Sequence, residues 1–281
     1  MAQTKKEIQA HLDVAQMHPR HRFGQNFMID QNLVRLIAAA GEIAAGDIVI
    51  EVGPGTGTLT EELLATPAAK VVAVEIDRDL AGMLRTRYTG EPRFELIEGD
   101  ALASKHELNV ELAKACRFKE MPADPPVKLV ANLPYNIASP LVIELLIAGV
   151  ETLAFTVQKE VADRLRAGAG DEMYGSISVM VQLLGDVEVM RTLPPQAFWP
   201  APKIDSALVR IRRRDRLGPH AVAFSRLLHQ LFSARRKTIR KALAQAELPA
   251  EKIITALGLD PLARPETLSP QTLWAVFQQI G

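Results

Sequence analysis

Cysteine is nearly missing from this chain of 281 residues: Cys116 stands alone, which excludes a disulfide scaffold and a thiolate metal cluster. No run of eighteen apolar residues occurs, and the most apolar stretch, residues 137–150, carries Glu144, so no transmembrane helix is expected. The N-terminus has Lys5 and Lys6, but Glu7, His11 and Asp13 follow where a secretory signal would place an apolar core. A reduced, cytoplasmic compartment is the simplest expectation. Net charge is also absent, since 33 Lys and Arg balance 33 Asp and Glu. What is present is ordinary: 48% hydrophobic and 23% charged residues exclude wholesale disorder. The length allows one large or two smaller domains with a sizeable core.

The zero net charge hides a segregation. Residues 201–245 hold twelve Lys or Arg against two Asp or Glu, a balance of +10; the other 236 residues hold 21 basic against 31 acidic, a balance of −10. A basic segment on an acidic body suits a polyanion-binding surface, although a solvated helix face would read the same.

Short β-branched runs recur at residues 48–52, 71–75, 94–97, 127–131 and 153–157, with room for a crossover helix between them. Repeated βα units predict an α/β fold, a mostly parallel Rossmann-like sheet with helices on both faces. Two further strands are expected at 187–192 and 206–212, on either side of a stiff loop containing Pro194, Pro195, Pro200 and Pro202. From Pro219 onward the pattern is helical, with Phe224, Leu227, Leu228 and Leu231 as one stripe and Ser269-Pro270 as a helix start. Residues 103–126, rich in proline at their end, predict an extended surface connection. The expected division is an N-terminal extension (1–20), an α/β domain (21–215) and a small helical domain (216–281).

Glu51-Val52-Gly53-Pro54-Gly55-Thr56-Gly57-Thr58 follows the first strand and opens a helix. Glycine lets the backbone turn tightly and approach a ligand. The dinucleotide fingerprint would want Gly where Thr58 stands, which weakens a nicotinamide reading. Glu75 closes the next strand, 22 residues after Gly53, where a carboxylate can accept both hydroxyls of a ribose. Asp100 closes the third strand and can accept from an exocyclic amine. A tight turn with solvated carboxylates is the bland alternative, and it must explain three coincident placements.

Asn132-Leu133-Pro134-Tyr135 follows the fourth strand. An adenine amino group is a poor nucleophile because its lone pair is delocalised into the ring. The Asn132 oxygen and a backbone carbonyl can hold its hydrogens and favour a pyramidal nitrogen, while Tyr135 offers a stacking face. Catalysis of this kind is positioning and desolvation. A base inside a helix cannot reach such a pocket unless flipped out. Four residues alone would equally suit an Asx-Pro turn.

Together, these residues resemble the S-adenosylmethionine-dependent adenine methyltransferases. Further segments, among them residues 22–27, 158–164, 174–178, 198–206 and 232–238, are similar to the small-subunit ribosomal RNA adenine dimethyltransferases over roughly residues 20–281. That resemblance implies S-adenosylmethionine as the cofactor and four methyl transfers onto two adjacent adenosines near the 3′ end of small-subunit ribosomal RNA. It implies Asn26 and Met28 over the cofactor, Gly53 against its methionine part, Glu75 at the ribose and Asp100 at the adenine amine, with Gly55, Ile76 and Ala101 also among the cofactor-binding residues. Asn132 would bridge cofactor and target, with Phe198 opposite Tyr135 as the second face around the base. Without the resemblance, an aromatic between prolines is more often a packing residue, and Trp199 is read as packing. Arg235, Arg236, Lys237, Arg240 and Lys241 are expected to bind RNA phosphates, which would offset the like-charge pairs 236/240 and 237/241 on a helix. The implied partner is the assembling small subunit, with no membrane, and a monomer is expected. His18 and His21 have neither the spacing nor the carboxylates for a metal site. Three rivals remain: a resistance-type methyltransferase acting on large-subunit RNA, a non-catalytic assembly or transcription factor on the same scaffold, and a nicotinamide dehydrogenase.

Overall fold

A computed structural model describes residues 5–14, 25–118, 125–233 and 237–280. In chain order the elements are α1 (Lys5–Val14), β1 (Phe27–Met28), α2 (Gln31–Ala40), β2 (Ile48–Val52), α3 (Thr58–Leu64), β3 (Lys70–Glu75), α4 (Arg78–Arg87) and β4 (Phe94–Glu98). They continue with β5 (Leu102–Ser104), β6 (Glu107–Leu108), α5 (Val110–Ala115), β7 (Val127–Asn132), α6 (Ala138–Ala148), β8 (Thr152–Gln158), α7 (Lys159–Arg166) and α8 (Ser176–Leu184). The last are β9 (Gly185–Leu193), β10 (Phe198–Trp199), β11 (Ser206–Arg213), α9 (Ala221–Ser233), α10 (Ile239–Gln245), α11 (Ala250–Leu257) and α12 (Pro270–Gln278). The chain forms two compact units, one within residues 1–162 and 188–213, the other within 163–187 and 214–281.

The first unit holds the α/β sheet expected from the apolar runs. The seven strands lie in the order β4-β3-β2-β7-β8-β11-β9. The pairs β3–β4, β2–β3, β2–β7 and β7–β8 are parallel, and β11 runs antiparallel to β8. All five residues of β2 are buried, as suits a strand covered on both faces. The chain builds outward from β2 through β3 to β4, then returns to lay β7 on the other side of β2. The direction of winding therefore reverses between β2 and β7. Ligands of open α/β sheets bind at the carboxyl ends of the strands flanking such a point. The glycine turn leaves β2 there, and Asn132 closes β7.

One buried cluster, with Leu33, Val34 and Ile37 of α2, Leu59 and Leu63 of α3, and Val49, Val130 and Leu208 of the sheet, packs those helices on the strands. A smaller one joins Ile8 and Leu12 of α1 to Phe27 and Leu80. The segment expected as an extended connection, 103–126, differs. It carries the β5–β6 hairpin and helix α5, and Leu112 and Cys116 within it are fully buried. The Asn109 side chain caps α5 by accepting from the Glu111 and Leu112 N–H groups at 2.8 and 3.3 Å. That local cap, followed by Leu112 as an anchor, outweighs the proline-rich tail. Burial pushes the Cys116 thiol up to about 12, so it is inert as a nucleophile.

In the second unit, α9 buries the predicted stripe Phe224, Leu227, Leu228 and Leu231. The Ser269 side chain accepts from the Thr272 N–H, and Pro270 opens α12. Trp274 meets Phe224 edge-on at 5.2 Å. The Tyr174 hydroxyl donates to the Leu268 carbonyl at 2.8 Å.

Candidate active site

The cleft at the carboxyl ends of β2, β3 and β7 lies wholly within the first unit. The space between its walls, open solvent included, is about 1070 Å³. Its walls bring together Asn26, Met28, Gly53, Gly55, Glu75, Ile76, Asp100, Ala101, Asn132, Leu133, Pro134 and Tyr135. These residues come from five separate stretches of the chain.

The glycine turn is left-handed at Gly53 (φ 72°), Gly55 (φ 59°) and Gly57 (φ 83°). At Gly55 a Cβ would stand 2.9 Å from the Phe27 ring, so positive φ and close approach both demand glycine. Phe27 is in turn stacked on Trp199, with ring centroids 6.4 Å apart, which supports the packing reading of Trp199. Two residues of α4 and its cap hold the turn from behind. Arg87 donates to the Thr56 carbonyl and pairs with Glu61, both at 2.8 Å, and the Tyr88 hydroxyl donates to the Gly57 carbonyl at 3.0 Å. Neither residue carries a motif, so sequence reasoning missed them.

Glu75 ends β3 almost fully buried. It accepts from the Asp77 N–H at 2.9 Å and the Gly55 N–H at 3.1 Å, which ties its carboxylate to the turn. Burial pushes its pKa up to about 7, against the pull of those N–H donors. Glu51, also on the cleft wall, is deeper still. It accepts from the Thr60 hydroxyl at 2.6 Å, and burial raises it to about 8. Asp100 is exposed, its Oδ1 accepting from the Leu102 N–H at 3.0 Å. Ile76, 44% exposed, presents an apolar face between the two carboxylates in sequence. A buried carboxylate, an apolar side chain and an exposed carboxylate suit a ribose followed by an adenine, so the residues present fit S-adenosylmethionine.

Across the cleft, Asn132 Nδ2 donates to the Asn26 carbonyl at 2.8 Å, and Asn132 Oδ1 accepts from the Thr156 hydroxyl. The Tyr135 hydroxyl shares a 2.8 Å hydrogen bond with Ser206, and burial raises its pKa. Phe198 does not line the cleft. It is 2% exposed, packed in the sheet-and-helix core, and its backbone pairs with that of Met28. β10 places it at the right register but turns its ring inward.

In the second unit the basic residues separate. Arg235 and Arg236 lie outside the described residues, as do His18 and His21. Thr238 caps α10 by accepting from the Lys241 N–H, so the helix starts at Ile239. Lys237 is therefore not one helical turn below Lys241, and the expected like-charge pair on one helix does not form. Lys237 instead donates to Gln245, and Arg240 pairs with Glu251 at 2.9 Å. Lys237, Arg240 and Lys241 are all exposed. Among the described residues no helix is long and apolar enough to cross a membrane.

Comparison with known proteins gives one consistent neighbourhood. The family model described as ribosomal RNA adenine dimethylase matches residues 17–279. A ribosomal RNA small subunit methyltransferase A of Synechococcus sp. (strain RCC307) is 40% identical over 269 residues, covering 90% of this chain and 93% of that protein. The protein of the same description from Methylococcus capsulatus is 41% identical over 261 residues, 89% and 93% of the two chains. Among solved structures, the 23S rRNA methyltransferase ErmE superposes with TM-score 0.63 at 27% identity over 91% of this chain and 99% of that one. A dimethyladenosine transferase from Plasmodium falciparum shares the fold, with TM-score 0.69 at 23% identity over 90% and 96%.

Proposed function

The chain belongs to the ribosomal RNA adenine dimethylase family, and from that premise we propose that it transfers methyl groups from S-adenosylmethionine to the exocyclic nitrogens of two adjacent adenosines near the 3′ end of small-subunit ribosomal RNA. The observation that carries this reading is the meeting of Glu75, Asp100 and Asn132 at one cleft. When bound, S-adenosylmethionine supplies an electrophilic methyl group on a positively charged sulfur. The chain's own residues do the rest by placement. Glu75 accepts from ribose hydroxyls, Asp100 from the adenine amine of the cofactor, and the positive-φ turn lies against the methionine part. Ile76 and Ala101 complete the cofactor wall.

At the target, Asn132 Oδ1 and a backbone carbonyl of the Leu133-Pro134 segment accept the two amine hydrogens and turn the nitrogen lone pair toward the methyl. Transfer would make the new N–C bond at the expense of the cofactor's S–C bond, with the displaced amine proton leaving to solvent. Tyr135 stacks on one face of the flipped base. Phe198, paired through its backbone with the cleft residue Met28, is the candidate for the other face and must turn out of its packing to serve. Arg235, Arg236, Lys237, Arg240 and Lys241 contact phosphates, so the unit that bears the cleft and the unit of residues 163–187 and 214–281, in place of the expected single boundary at 215, divide chemistry from RNA capture. A monomer working in the cytoplasm on the assembling subunit completes the proposal.

The likeness to ErmE favours large-subunit RNA as a second substrate reading. The test is transfer of labelled methyl to unmodified small and large ribosomal subunits in parallel. Label confined to small-subunit adenines, and sharply reduced with Asn132→Ala, is the expected result. Label on large subunits alone would replace this reading with the resistance-type one.

A further inference from the structure

We propose that Thr156 is a positioning residue for methyl transfer: its hydroxyl fixes the side-chain amide of Asn132 with the oxygen presented to the target amine. The inference rests on the functional reading above and adds a residue to it.

The placement begins in the sheet. β7 and β8 are parallel neighbours, and Asn132 stands in register with Thr156. Side chains in register on adjacent strands leave the sheet on the same face. β8 is otherwise built for burial, with Leu153, Ala154, Phe155 and Val157 fully covered. Thr156 is fully covered too, yet it brings a hydroxyl into that apolar strand. A buried hydroxyl without a partner is costly, and valine would fill the same volume. Among the described residues the hydroxyl has one hydrogen-bond partner, Asn132 Oδ1.

The orientation of the amide follows from its other contact. The Asn26 carbonyl can only accept, so the Asn132 atom 2.8 Å from it must be the nitrogen. The atom facing Thr156 is then the oxygen, and the hydroxyl must donate to it. Two tethers of opposite polarity fix both the rotation and the flip of the amide. One lone pair of Oδ1 is taken by Thr156, leaving the other for the amine. Flipped, the amide would turn N–H donors toward an amine that also donates, and the contact would be repulsive. With only the Asn26 tether, the amide is free to swing. Thr156 does not line the cleft, so it acts on substrate only through Asn132.

The experiment uses the full chain in five forms: wild type, Thr156→Val, Thr156→Ser, Asn132→Ala and the double variant Thr156→Val/Asn132→Ala. Single-turnover transfer to unmodified small subunits is expected to slow about tenfold in Thr156→Val. Cofactor affinity should hold within about twofold, since the cofactor wall is untouched. Thr156→Ser should restore most of the rate. In the Asn132→Ala background Thr156→Val should cost nothing further, because the coupling partner is gone. A wild-type rate in Thr156→Val, or an equal proportional loss in both backgrounds, would overturn the inference. A second readout does not depend on the substrate. The Asn132 side-chain NH₂ signals, assigned by their loss in Asn132→Ala, should shift and broaden in Thr156→Val and recover in Thr156→Ser. Unchanged signals overturn the positioning role; wild-type protein that leaves small subunits unlabelled overturns the functional reading instead.

Discussion

At the scale of single residues, the cleft separates two kinds of polar group. Asn132 is neutral and, in the proposed reaction, works by direction, so its loss should slow transfer sharply and leave the fold intact. Asn132→Ala is expected to slow methyl transfer at least about 100-fold, with a melting temperature within a few degrees of wild type. Glu75 and Glu51 are carboxylates held in a dry wall, and their behaviour is set by protons. Burial raises Glu75 to about 7, and accepting ribose hydroxyls, as proposed, would favour its ionised form. Cofactor affinity should therefore strengthen as pH rises toward 7 and level off above it, a trend calorimetric titration would follow. Glu75→Gln should flatten that dependence and weaken binding. Folding stability runs the other way. Both carboxyls have folded pKa values above the ordinary 4.5, about 7 and about 8, so the folded protein holds protons the unfolded chain has lost. Their contribution to stability is present below about pH 4.5 and is lost as pH rises through about 8. Denaturant titrations of the cofactor-free protein should show this decline, and Glu51→Gln should shrink it.

At the scale of elements, the turn after β2 depends on glycine more than on any side chain. Gly55→Ala must place a Cβ against the Phe27 ring and hold alanine at φ 59°. The left-handed conformation alone costs about 1–2 kcal/mol. The melting temperature should fall by several degrees and cofactor affinity by at least about tenfold. Differential scanning fluorimetry with and without S-adenosylmethionine separates the two effects. This turn and the strands around it were legible in the sequence because β-branched runs and glycine spacing are local signals. Asn132, Glu75 and Asp100 were legible because two close a strand and Asp100 stands two residues past one, and strand ends in such sheets meet at one edge. Phe198 was not, since which way its ring points depends on how β10 packs beside β1. Helix α5 was hidden by the prolines after it, although Asn109 and Leu112 carry its cap and anchor. Thr156 looked like one more β-branched core residue, and only the register with Asn132 gives its hydroxyl a purpose. Arg87 and Tyr88 carry no local signal, because their contact with the turn spans 31 positions of the chain.

At the scale of the whole molecule, the proposed chemistry and the proposed phosphate contacts fall on different stretches of chain. The cofactor cleft draws on residues 25–137, while the exposed Lys237, Arg240 and Lys241 lie near the end. Replacing those three by Glu should weaken small-subunit binding and lower its salt dependence, because each lost phosphate contact removes about one unit of slope. Cofactor affinity should stay unchanged in the same variant, so filter binding and calorimetry together locate the defect.

The central claim is dimethylation of adenosine in small-subunit RNA. Its most direct test is nucleoside mass spectrometry of ribosomal RNA from unmodified small subunits incubated with the protein and S-adenosylmethionine. The account predicts N6,N6-dimethyladenosine at two adjacent positions near the 3′ end, absent when Asn132→Ala is used. Methyl groups found on another base, or only on large-subunit RNA, would contradict it.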